Sequence, residues 1–343
     1  MADGSLSPAT APPAFTPTAP PAAPVDLRPL TTSELIDRGF ALYRAHFAGF
    51  LLLALLCQTA PLLGQILATA CKLNPTQNEV LENPEAFFIK SGILTAITLV
   101  SQVIVFCFEV VITFYIADAY LGKIPSVKES LRKFTGCIFS SIWTCILNRI
   151  LIGITLFFPA ITFAALYLYA VFHPPETLFP LLVFGCAAVL LLIASLAPVL
   201  VVVMRLMITV PALALEGCPG WRAIKRSATL VRYDPGLGIL YWGEMRLSFL
   251  LLPLLAIELL FFLLTSLPLT LHQIGEFMRH GSIEPIAAAP DSVMILSQIL
   301  TFLAGSLILP LYSIATTLFY YDIRIRREGF DLQFMAGQMG GQK

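Results

Sequence analysis

Three stretches of this chain, 45–71, 177–204 and 292–321, contain no Asp, Glu, Lys or Arg. A helix needs about 20 apolar residues to cross about 30 Å of hydrocarbon, and each stretch is longer than that. Such runs exclude an ordinary water-soluble fold. The composition agrees, with 57% hydrophobic and 12% charged residues, about half the charge of a soluble domain. Hydropathy places six spans at roughly 48–70, 92–117, 150–171, 178–205, 247–270 and 292–321. The expected class is an all-α, polytopic membrane protein.

The basic residues are distributed unequally. Segments before the first span and after each even span carry Arg28, Arg38, Arg44, Lys123, Lys128, Arg132, Lys133, Arg205, Arg222, Lys225, Arg226, Arg232, Arg324, Arg326, Arg327 and Lys343. The opposite loops carry only Lys72, Lys90 and Arg279. The positive-inside rule then puts both termini in the cytoplasm. A net charge of zero argues against a nucleic-acid surface. Residues 1–29 hold eight prolines among Ala, Thr and Ser, the composition of a disordered tail. It lacks the basic and apolar regions of a signal peptide. Residues 328–343 read as a second short cytoplasmic tail.

Each odd span is preceded by an amphipathic stretch. The apolar positions are Ile36, Phe40, Tyr43 and Phe47, then Val127, Leu131, Phe134 and Ile138, then Trp221, Ile224, Ala228 and Val231. This spacing makes one apolar stripe on a helix. The neighbouring Lys and Arg suit a helix lying in the headgroup layer. Ile36, Arg38, Leu42 and Arg44 match Ile224, Arg226, Leu230 and Arg232 at one constant offset, with Leu131 and Lys133 near half of it. Three repeats follow, about 33–125, 127–219 and 221–327, each an interfacial helix plus a helical hairpin. Two spans return a unit to its starting side, so the repeats are parallel, related by an axis along the membrane normal. Each stripe is expected to bury against lipid or its own hairpin.

Charges inside spans are the first place to look for function. Glu109 falls in the second span and Glu258 near the middle of the fifth, while Arg149 and Arg246 open the third and fifth. They form an ion path, or else the arginines snorkel to the interface and the glutamates are neutral or paired. Tyr320 and Tyr321 followed by Arg324, Arg326 and Arg327 read as an aromatic belt and basic anchor at the inner interface. Asp322 is placed to pair with Arg326 on a continuing helix. No nucleophile elbow, phosphate loop or zinc-binding helix motif occurs. The four histidines are scattered, and none of the seven cysteines forms a CxxC pair. Catalytic, cofactor and metal sites are therefore expected to be absent, and the cysteines to be free thiols.

Two stretches carry a family resemblance: LTTSELIDRGFALYRAHF from residue 30 and TLFYYDIRIRREGFDL from residue 317, with AIKRS at 223–227 between them. The chain resembles, over residues 30–334, the bacterial membrane-domain family named after glycerophosphoryl diester phosphodiesterase. In that family the hydrolase is a separate barrel, for which this chain has no segment. The resemblance implies a bacterial inner-membrane protein and carries over no catalytic residue. Mitochondrial carriers also have three two-span units, but their Pro-x-Asp/Glu-x-x-Lys/Arg signature is missing. The leading expectation is a non-enzymatic accessory or scaffold protein of the cell envelope, partnered by lipid and other membrane proteins. A small-solute or ion transporter is the alternative, and a lipid-acting enzyme the second.

Overall fold

A computed structural model describes residues 28–73, 83–172, 178–232, 243–280, 289–330 and 332. The proline-rich segment 1–27 and most of the C-terminal tail lie outside the described residues. No strand occurs among those described. Ten helices follow one another: α1 (Thr32–Ala45), α2 (Phe47–Ala70), α3 (Pro84–Tyr120), α4 (Val127–Thr135), α5 (Ile138–Phe172), α6 (Leu178–Leu206), α7 (Thr209–Glu216), α8 (Trp221–Val231), α9 (Gly243–His280) and α10 (Asp291–Glu328). Six segments are long and apolar enough to cross a membrane, which makes this an all-α polytopic membrane protein. At 1.5 Å per residue, α3, α9 and α10 are each about 55 Å long. They run well beyond their apolar windows.

Local chemistry sets the helix ends. Thr31 and Glu34 form a reciprocal capping box at the start of α1, satisfying donors that a helix start leaves free. The Thr31 amide and the Arg28 guanidinium hold the Glu34 carboxyl down to about 2, so the box stays charged. Asn83 accepts from the Ala86 amide at 3.2 Å, with Pro84 opening α3. Gly122, Gly217 and Gly329 follow α3, α7 and α10 with φ of 74°, 63° and 60°. That left-handed turn favours glycine, and it stops three successive hairpins at the same end.

Short helix then hairpin is the order three times over: α1 with α2–α3, α4 with α5–α6/α7, and α8 with α9–α10. Within each hairpin the two long helices pack together. The hairpins close into a ring, because α3 meets α5, α6 meets α9 and α10 meets α2. The short helices correct one expectation. Each packs mainly on the preceding unit's hairpin and not on its own: α1 on α9 and α10, α4 on α3, α8 on α5, α6 and α7. Gly39 of α1 faces α10, where a Cβ would make ordinary contact with Ile314 Cγ2 at 3.5 Å.

In α1 and α4 the buried stripe is also turned by about one residue from the expected one, whereas Ile224 and Val231 of α8 are buried as expected. Leu35, Ser130 and Ala223, which occupy equivalent positions, are buried. Leu131 and Trp221 are 37% and 59% exposed. The apolar stripe is wider than the contact a neighbouring hairpin offers.

The core gathers where α3, α7 and α10 end. Ile112, Ile116, Ile208, Leu213, Leu318 and Phe319 are buried there, and α2 adds Phe50 and Leu53. The middle hairpin contributes little. Of the most apolar windows, 6% of that in α5 and none of that in α6–α7 is buried, against 33% in α3.

Candidate functional site

Two polar regions stand out, a set of ion pairs at the glycine-capped ends and a cleft on the side of the ring. The ion pairs join consecutive units. Asp118 near the end of α3 accepts from Lys133 Nζ of α4 at 2.5 Å. Glu216 at the end of α7 accepts from Arg226 Nε of α8 at 2.8 Å and from the Tyr320 hydroxyl at 2.7 Å. Arg226 also pairs with Glu328, and Arg324 with Glu328 at 3.0 Å. Charge-assisted bonds of this kind are about twice as strong as neutral ones.

The third cluster closes the ring through the backbone of Leu30. The Asp322 carboxylate, with a side chain 1% exposed, accepts from Arg246 Nη2 of α9 and Arg326 Nε, both at 2.9 Å. Its other oxygen accepts from the Leu30 amide at 2.8 Å. Arg246 and Arg326 donate to the Leu30 carbonyl oxygen at 3.2 and 2.6 Å. Both backbone groups of Leu30, the residue just before the α1 cap, are thus held by the last helix. An acid near the end of each hairpin secures the entry to the next unit, the third unit securing the first.

Several sequence readings are corrected by this geometry. Arg246 lies in the Asp322 cluster. Arg149 does not open its helix. It stands twelve residues into α5 and donates to Gln102 Oε1 at 2.8 Å, while its Nε is buried with no hydrogen-bond partner among the described residues. The third span begins earlier than hydropathy suggests because the polar first turns of α5 continue the same helix. Tyr320 and Tyr321 do not form a belt facing the headgroups. They are 0% and 3% exposed, Tyr320 on Glu216 and Tyr321 stacked on Tyr120 with ring centroids 5.2 Å apart. Arg324 lies 4.5 Å over the Phe330 ring. Arg327 donates to the carbonyl oxygens of Thr229 and Arg232 at 3.0 and 2.7 Å, capping the end of α8. The basic cluster at this end therefore binds protein groups.

Glu109 and Glu258 are not brought together. Glu109 on α3 interacts electrostatically with Arg149. Glu258 on α9 accepts from the Tyr312 hydroxyl at 2.7 Å. It lines a lateral cleft of about 480 Å³ between α2, α9 and α10. An adjoining cavity of about 370 Å³ shares Gln58, Leu269, Ser297 and Thr301 with it and extends to Gln65 and Gln298.

Asp118, Glu216 and Lys133 were not singled out by sequence reasoning as site residues. A signal for them exists. The hexapeptides TFYIAD at 113–118 and TLFYYD at 317–322 share the Thr-to-Asp spacing, and each precedes a capping glycine. All seven cysteines are free thiols. No group of three or more His, Cys, Asp or Glu able to hold a metal occurs among the described residues. Comparison with protein-family models, with curated proteins and with solved structures finds no match to this chain.

Proposed function

We propose that this chain is a non-enzymatic accessory or scaffold protein of a bacterial inner membrane, with both termini cytoplasmic. The cyclic pairing supports the reading: Asp118–Lys133 and Glu216–Arg226 each tie one unit to the next, and Asp322, paired with Arg246 inside the third unit, ties that unit to the first through the Leu30 backbone. Charges placed this way serve to hold a ring of hairpins in one arrangement. A proton relay strings ionisable groups along a common passage, and Glu109 and Glu258 occupy separate environments. The resemblance to the phosphodiesterase-named membrane-domain family belongs to this proposal and adds a bacterial setting without a catalytic residue.

Purified protein in liposomes loaded with a pH-sensitive dye tests the reading. Under an imposed gradient, proton flux is expected to equal that of empty liposomes, with Glu109→Gln and Glu258→Gln indistinguishable from wild type. Saturable flux lost in either variant would replace the scaffold by a transporter.

Orientation has its own check. Cys71 is exposed at the end of α2, and Cys218 lies between α7 and α8. In single-cysteine variants, an impermeant maleimide is expected to label Cys71 in intact spheroplasts and Cys218 only after permeabilisation. The opposite pattern inverts the topology.

A further inference from the structure

The hydroxyls lining the lateral cleft already donate their protons within the protein. Thr265 donates to the Phe262 carbonyl oxygen at 3.2 Å, Ser266 to that of Leu263 at 3.0 Å, Ser297 to that of Thr265 at 2.9 Å and Thr301 to that of Ser297 at 2.9 Å. Tyr312 donates to Glu258. A hydroxyl has one proton and two lone pairs, so what these groups have left is acceptor capacity. Gln298 adds to it. Its amide donates to Thr69 Oγ1 at 2.8 Å, while its Oε1 is buried without a hydrogen-bond partner among the described residues. The remaining side-chain donor of the cleft is the amide of Gln58, with that of Gln65 in the adjoining cavity.

Glu258 brings a carboxylate into this acceptor-rich surface, and no basic side chain among the described residues pairs with it. Its neighbours Leu255, Leu259, Leu260 and Phe262 are among the exposed apolar residues of the ring's outer surface. A carboxylate on such a surface, set against hydrocarbon, is costly until a cation or a proton compensates it. Where a cation and not a proton compensates Glu258, an occupant brings N–H donors to the cleft oxygens and carries an apolar tail with which to arrive from the side.

We propose that the cleft between α2, α9 and α10 binds the primary ammonium group of an amphiphile. The ammonium sits on Glu258, and the apolar body lies against Phe261, Phe262, Leu269 and Ile308. A trimethylated ammonium carries the same charge but has no N–H to give to the cleft oxygens, so it binds more weakly. The site deepens the accessory reading by naming a ligand class. Lipid retention tests it separately from that reading, which stands or falls on flux.

The test uses the full chain in detergent micelles, with bound lipid counted by native mass spectrometry. Phosphatidylethanolamine and phosphatidylcholine of identical chains are offered together. Retention of the ethanolamine lipid is expected to exceed that of the choline lipid by about tenfold, the scale of one charge-assisted hydrogen bond. Glu258→Gln removes the preference, and Glu258→Asp keeps part of it. Equal retention of the two lipids, or an unchanged preference in Glu258→Gln, overturns the proposal. Displacement of the lipid by free ethanolamine or potassium at equal concentration overturns the amphiphile assignment. Should Glu258→Gln fail to fold, an ethanolamine lipid with a photoreactive chain decides the matter on the wild type. Crosslinks in α9 and α10 support the site, and crosslinks spread over all six spans sink it.

Discussion

Asp322→Asn is expected to lower the stability of the detergent-purified protein by about 3–5 kcal/mol, the cost of leaving a buried charge without its partner. The substitution keeps the shape but removes the charge that holds Arg246 and Arg326 at 2.9 Å. The Arg246 guanidinium, 13% exposed, then remains without its counter-charge, beside the more exposed Arg326. The start of α1 should loosen as well, because an amide in place of the carboxylate weakens the hold on the Leu30 backbone. Lys133→Ala provides the contrast. Its pair with Asp118 is one-third exposed on the lysine side, and such pairs contribute about 1 kcal/mol or less. Chemical denaturation of the two variants, with proteolysis of the segment before α1 as a second readout, separates the cases. Equal stability of Asp322→Asn and wild type would show that the cluster holds nothing together.

Phe50→Ala should have a comparable effect by a different mechanism, about 3–5 kcal/mol through the cavity it leaves. Phe50 is fully buried, edge-on to Tyr115 at 5.1 Å and stacked near Tyr43 at 6.2 Å. It fills the junction where α2 meets α3 and α10. The backbone beside it is equally constrained, since a Cβ on Gly49 would collide with the Tyr115 hydroxyl. Phe163→Ala on α5 removes a ring of the same size from a position 62% exposed. That change is expected to stay within about 1 kcal/mol. Thermal unfolding in one detergent compares the two directly. A large loss at Phe163 would mean that the middle hairpin packs against something beyond lipid.

The span count and the three amphipathic helices were legible because each depends on local periodicity. An apolar run of sufficient length has one stable environment, and a stripe with 3.6-residue spacing forms one helix face. The boundaries were less legible. The third span begins at Ile138, twelve positions ahead of the hydropathy estimate, because hydropathy marks the apolar window and says nothing of a helix that continues past it.

The candidate site was legible only as a list of residues. Arg246 and Arg326 were noticed as charges, but nothing local says that both meet Asp322 and the Leu30 carbonyl. Tyr320 and Tyr321 fit a belt by order along the chain, and the ring closure turns them inward. Glu258 was visible as a charge in a span, while the oxygen-rich cleft around it depends on α2, α9 and α10 lying side by side.

What the sequence by itself determined is the material: six apolar spans, three amphipathic entries, and an acid then a glycine at the end of each hairpin. Helix formation and membrane burial are set within about 20 residues, so they can be read along the chain. Only the tertiary structure decided the partners. Each entry helix packs on the preceding hairpin, and Asp322 closes the ring onto Leu30 across nearly the whole chain. Such contacts depend on which surfaces remain after every hairpin has packed, and no local pattern of residues encodes that remainder.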